Sequence, residues 1–113
     1  MSKNRTEMLE GDIRPDRIAY FPGGEKKFKA FINAELQYPE LCKINKIEGT
    51  VKVSFEIDID GTVQNVQVIE SLHPDLDREA IRVVSLSPKW KPYLLYFKPV
   101  KSSLNYNIVF KIK

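Results

Sequence analysis

Apolar and polar residues interleave along this chain with two distinct periods. From Thr50 to Ile59, Val51, Val53, Phe55, Ile57 and Ile59 alternate with Thr50, Lys52, Ser54, Glu56 and Asp58. A period of two puts the apolar side chains on one face and predicts a half-buried strand, with Gly49 at its start. Asp60-Gly61 follows, a pair suited to positive φ and hence to a short hairpin turn. Val63 to Glu70 is the return strand, with Val66 and Val68 on one face and Val63 and Ile69 on the other. Ser103 to Lys113 alternates again. Leu104, Tyr106, Ile108, Phe110 and Ile112 point one way; Ser103, Asn105, Asn107, Lys111 and Lys113 point the other, with Val109 the apolar exception.

The second period is helical. Between Glu25 and Leu36, Phe28, Phe31, Ile32 and Leu36 recur at the spacing of one helix face. Tyr38-Pro39 ends this helix, because the residue before a proline is pushed out of the α region. Pro39 can then open a short second helix over Glu40 to Asn45. Asp75 is expected to cap a third helix, in which Leu76, Ala80 and Val84 recur every four residues. Arg78, Glu79 and Arg82 are placed on its outer side, and Ser87-Pro88 ends it. The predicted order is helix, strand, strand, helix, strand. Such an order makes an α+β two-layer sandwich: a three-stranded antiparallel sheet with one main covering helix and an N-terminal helical segment. Met1 to Tyr20 is polar and weakly periodic and is expected to be a flexible lead-in or linker remnant. Residues 21–113 form the single domain, opened by the turn Phe21-Pro22-Gly23-Gly24.

Charge and rare residues narrow the chemistry. A net charge of +3 without a dense Lys/Arg stripe gives no nucleic-acid signature. One cysteine, Cys42, makes no internal disulfide and reads as a small buried hydrophobe beside Leu41 and Ile44. No stretch is long and apolar enough to span a bilayer, and no secretory signal pattern is visible. The chain is therefore either cytosolic or a piece of a larger, separately anchored envelope protein. His73 is the single histidine. Ser71, Asp75 and Asp77 lie near it, but nothing in that local spacing positions a nucleophile, so His73 reads as a solvated turn residue and no catalytic residue is assigned. No metal site and no cofactor is expected either, because one histidine and one cysteine far apart in sequence leave acidic residues to supply most ligands.

Several of these segments together resemble the TonB C-terminal domain family. Tyr38-Pro39-Glu40-Leu41-Cys42 resembles the family's opening. Gly49-Thr50-Val51, Val53, Phe55 and Asp60-Gly61-Thr62-Val63 resemble its first hairpin, and Val66, Val68 and Ser71 its return strand. Leu76-Asp77 and Ala80 resemble its helix start, Pro88-Lys89-Trp90-Lys91-Pro92 the signature after that helix, and Tyr106, Ile108 and Phe110 its closing strand. Trp90, held between two prolines, reads as a packing anchor.

The resemblance implies a periplasmic domain, tethered to the inner membrane in the full-length protein. It would capture an extended peptide, the TonB box of outer-membrane TonB-dependent transporters, by strand addition and so transmit inner-membrane energy for import. It implies that the last strand lies beside the first and leaves an open edge. On that edge Ser103, Asn105, Asn107, Val109 and Lys111 form the expected peptide-binding strand. Other implied partners are inner-membrane proton-driven motor proteins, reached through a region outside this chain; a homodimer is a further expectation. The alternative is an interaction module in a sensor or stand-alone envelope protein without a transport role. One departure stands out. Where the family has a polar, glycine-containing turn, this chain has Tyr93-Leu94-Leu95-Tyr96-Phe97. Either these residues pack on the domain itself, or they form an exposed partner-contact patch.

Overall fold

A computed structural model describes residues 16–113. Its elements are α1 (Glu25–Glu35), α2 (Glu40–Ile44), β1 (Gly49–Ile57), β2 (Val63–Glu70), α3 (Pro74–Ser85), β3 (Tyr93–Leu95), β4 (Lys98–Val100) and β5 (Ser102–Phe110). The main sheet is three-stranded and antiparallel, in the order β2-β1-β5, and β3 pairs with β4 in a separate hairpin. The α+β sandwich expected from the sequence is the architecture observed.

β1 is the central strand, and its inward row is the most completely buried. Val51, Val53, Phe55 and Ile57 all point into the core and are fully buried. Burying side chains of this size stabilises the fold by about 1.5–3 kcal/mol each. Ile59 does not continue the series. Asp58 N–H donates to Thr62 O at 2.9 Å, the chain turns, and Ile59 is left exposed in the loop. α3 lays Leu76, Ala80, Val83 and Val84 on the sheet, all fully buried. An aromatic cluster fills the other end of the core. The Phe28 ring lies 5.0 Å from Trp90, 4.8 Å from Tyr106 and 6.2 Å from Phe55, mostly edge to face. Trp90 is therefore the packing anchor its flanking prolines imply, and its indole N–H donates to Ser87 Oγ at 2.9 Å.

Several expectations need correction. Val63, Val66 and Val68 all pack against the core, whereas Ile69 is exposed. The reason is the register: Ser54 faces Gln67 but Glu56 faces Gln64, so β2 carries an extra residue there and its side-chain alternation resets. Asn65 sits in that bulge with φ 52°. The cap of α3 is His73 rather than Asp75. Pro74 takes the first helical position and has no N–H, so the first free donor is Asp75 N–H, which His73 Nδ1 accepts at 3.1 Å. Glu79 is buried, not outward. Its carboxylate accepts from Gln37 N–H at 2.6 Å and from Arg82 at 2.7 and 2.8 Å, while Arg82 also donates to Glu35 O at the end of α1. This ion pair ties the C-terminal end of α1 to α3. The last strand stops at Phe110, so Lys111 and Lys113 lie beyond it, and Ile112 N–H is taken up by the Glu48 carboxylate at 2.7 Å.

Most of the expected lead-in, residues 1–15, lies outside the described residues. Its final part is docked. Arg17 and Leu94 exchange both backbone hydrogen bonds, at 3.0 and 2.8 Å, as do Tyr20 and Lys91. Ala19 and Phe21 are buried as a result. Alternation explains this: two inward apolar residues spaced by one give an extended segment a face to bury.

Candidate peptide-binding edge

β5 pairs with β1 without a break from Gly49–Phe110 to Ile57–Ser102. Among the described residues no strand lies on its other side. Core-facing Ile108 and Phe110 are buried and Leu104 and Tyr106 half-buried, which fixes the strand's orientation. Ser103, Asn105, Asn107 and Val109 are exposed and share the opposite, solvent face. Lys111 is exposed just past the strand's end. The strand therefore brings together four of the five residues assigned to the edge and leaves Lys111 as a flank.

Two grooves run beside this strand, and the sequence reading missed both. One, of about 370 Å³, is walled by Ile18, Phe21, Phe28, Trp90, Leu104 and Tyr106 among others. The second, of about 350 Å³, lies between Glu25 and Lys29 of α1 and Lys52, Asn107 and Val109 of the sheet. Glu25, Asn105 and Tyr106 border both. Burial, and then the negative charge of Glu25, push the Tyr106 hydroxyl above its ordinary pKa, so it stays a neutral hydrogen-bonding group. The docking of residues 16–21 supplies one wall of the first groove, and the polar stretch that precedes them in sequence gave little sign of it.

The apolar run divides in two. Tyr93 packs against the core and Leu94 is half-buried beside Arg17, whereas Leu95, Tyr96 and Phe97 are exposed. A third cluster joins residues far apart in sequence. Cys42 Sγ lies 3.5 Å from His73 Nδ1, and Asp75 brings a third donor within 4.8 Å of both. His73 is thus not the solvated turn residue expected. Its Nδ1 serves the helix cap, and the Asp75 carboxylate is paired with Arg78. Burial and the nearby Asp75 charge push the Cys42 thiol above its ordinary pKa, the opposite of what a thiolate ligand or nucleophile needs. Ser71 Oγ donates to the Asp77 carboxylate, and among the described residues nothing links it to His73. The cluster pins α2 to the start of α3.

Residues 34–112 match the family profile described as the Gram-negative bacterial TonB protein C-terminal. The chain belongs to the TonB C-terminal family. It is 37% identical over 62 residues to the protein TonB of Helicobacter pylori, a stretch of 51% of this chain and 22% of that protein. To the protein TonB of Escherichia coli K12 it is 30% identical over 86 residues, 74% of this chain and 33% of that protein. The chain thus spans only a fraction of the length of these relatives. The solution structure of the Helicobacter pylori TonB C-terminal domain superposes with a TM-score of 0.61 at 27% identity, covering 78% of this chain and 79% of that one. The TonB profile covers β5 whole but begins within α1. Ile18, Phe21 and Phe28 of the first groove lie before it, so that wall is outside the part of the chain that matches the family.

Proposed function

We propose that this TonB C-terminal domain acts in the periplasm of a Gram-negative envelope by holding an extended peptide against β5. The peptide is the TonB box of an outer-membrane transporter, and the domain belongs to an energy transducer rather than an enzyme. The observation that carries this reading is the unbroken flank of β5, which no strand among the described residues pairs with. Backbone N–H and C=O groups on such a flank are satisfied by a docked strand, which gives affinity tolerant of many side chains. Side chains of the docked strand alternate. Those turned toward the helical layer meet the apolar groove at Phe21, Trp90 and Tyr106, and those turned away lie along Asn105, Asn107 and Val109. Lys29, Lys52 and Lys111 favour an acidic residue near the Val109 end.

About five net hydrogen bonds at ~1 kcal/mol each, less the cost of ordering the peptide, give an affinity no tighter than micromolar. Weak binding suits a contact that forms and breaks with each transport cycle. In the full-length protein an inner-membrane tether and proton-driven motor partners would supply the pull.

Titration with peptides from transporter N-terminal segments, read by backbone amide shifts, tests the proposal. Amides of Ser103 to Val109 should move and those of Val63 to Glu70 should not. N-methylation of alternate peptide amides should weaken binding at least about tenfold, the loss expected for removing one or two such bonds. Shifts confined to another surface, or indifference to N-methylation, would overturn it.

A further inference from the structure

The hairpin joining β3 to β4 turns through Tyr96 and Phe97, at φ 51° and 66°. Two consecutive positive φ values are those of a type I′ turn, which favours Asn-Gly and disfavours bulky aromatics. The two rings gain nothing from the domain in return: Tyr96 is 77% exposed and Phe97 62%, with Leu95 beside them at 45%. Local folding preference therefore does not account for these residues.

Charge around the tip is one-sided. Residues 87–103 contain Lys89, Lys91, Lys98 and Lys101 and no acidic residue, so this segment alone exceeds the chain's net +3. Lys89 and Lys101 make only loose, exposed pairs, with Asp60 at 3.5 Å and Glu56 at 3.9 Å. Among the described residues Lys91 and Lys98 have no acidic partner. Among the described residues one carboxylate reaches the tip, that of Asp16, and it accepts the Tyr96 N–H at 2.9 Å.

We infer that this tip inserts into the headgroup layer of an anionic phospholipid surface. Tyr96, with an apolar ring and a polar hydroxyl, suits that depth, Phe97 and Leu95 add apolar surface beside it, and lysines behind them meet the negative surface. A folded protein partner fits less well. Three side chains offer at most roughly 150–250 Å² each, short of the about 800 Å² per partner that a stable protein interface buries. A second copy meeting tip to tip would set lysines against lysines.

Vesicle co-sedimentation of the 113-residue chain tests the inference. Vesicles of phosphatidylglycerol and phosphatidylethanolamine should bind it at least about tenfold more tightly than phosphatidylcholine vesicles, and salt should erase the difference. The double variant Y96N/F97G keeps the turn geometry, so it should fold with an equal or higher Tm and lose vesicle binding. K91Q/K98Q should retain the fold and lose the anionic preference. Equal binding to both lipids, or full binding by a folded Y96N/F97G, would overturn the inference. So would a tip-dependent self-association, seen by sedimentation velocity, without vesicle binding.

Discussion

The main sheet has two outer strands, β5 and β2, and they are built differently. β5 keeps one register with β1 along its whole length. β2 slips twice, once opposite Lys52–Val53, where Ile69 is the extra residue, and once opposite Ser54–Glu56, where Asn65 lies in the left-handed region. A bulge bends its strand and breaks the even row of donors and acceptors that an incoming strand must match. Exposure alone therefore does not make an edge receptive; regularity does. The bulged edge is protected against unwanted pairing, whereas the straight one keeps the even row of groups that the proposed peptide would need.

The largest effect is expected where β2 is anchored. Gly61 has φ 90°, and a Cβ there would overlap the Trp90 carbonyl oxygen. Trp90 N–H also donates to Gly61 O at 2.9 Å, so the turn cannot shift without losing that bond. Gly61→Ala should destabilise the domain by about 3 kcal/mol, combining a disfavoured φ with a backbone collision. Hydrogen exchange should show β2 losing protection well before the β1–β5 ladder. Uniform loss across both ladders would show that the two edges are not independent.

A smaller effect tests the bulge itself. The Asn65 side chain donates to Glu56 Oε1 at 2.8 Å, so it both tolerates positive φ and holds the kink closed. Asn65→Val, with a β-branched side chain, should cost about 1–2 kcal/mol in urea unfolding. Asn65→Gly should lie within about 0.5 kcal/mol of the parent, losing the hydrogen bond but relieving the backbone. If valine is tolerated as well as glycine, the bulge is not set by Asn65.

This contrast marks the limit of what the sequence reveals. Period-two alternation in Val51–Ile57 and in Leu104–Phe110 marks both strands and their inward faces, because each has one unbroken apolar row, with Val109 the lone apolar residue opposite it. β2 defeated the same rule, since an extra residue at Asn65 reverses the side chains from there to Val68 and a second at Ile69 resets them again. The open flank of β5 was reached only through the family resemblance, as strand order is a tertiary property. The grooves beside it were invisible because their walls come from residues 18–28, β1, Trp90 and β5 together. The Cys42–His73 contact was hidden for the same reason: 31 residues separate the pair in sequence.

The smallest effect concerns acid. Asp60 feeds the β2 end of the first hairpin, and its carboxylate accepts the Thr62 N–H at 3.0 Å. That backbone bond, then the Thr62 hydroxyl and Lys89, hold its pKa below the ordinary carboxylate value. The folded state therefore binds this proton less tightly than the unfolded chain does. Its contribution is complete above the unfolded-state pKa and is lost as pH falls through the depressed native value. Thr62 and its β2 neighbours should accordingly fray first on acidification, whereas Asn105 to Val109 keep their exchange protection. In Asp60→Asn the acid-dependent part of that fraying should vanish, leaving a small, pH-independent loss of stability. An unchanged acid response in the variant would place the sensitive group elsewhere and remove Asp60 from the account of how β2 is held.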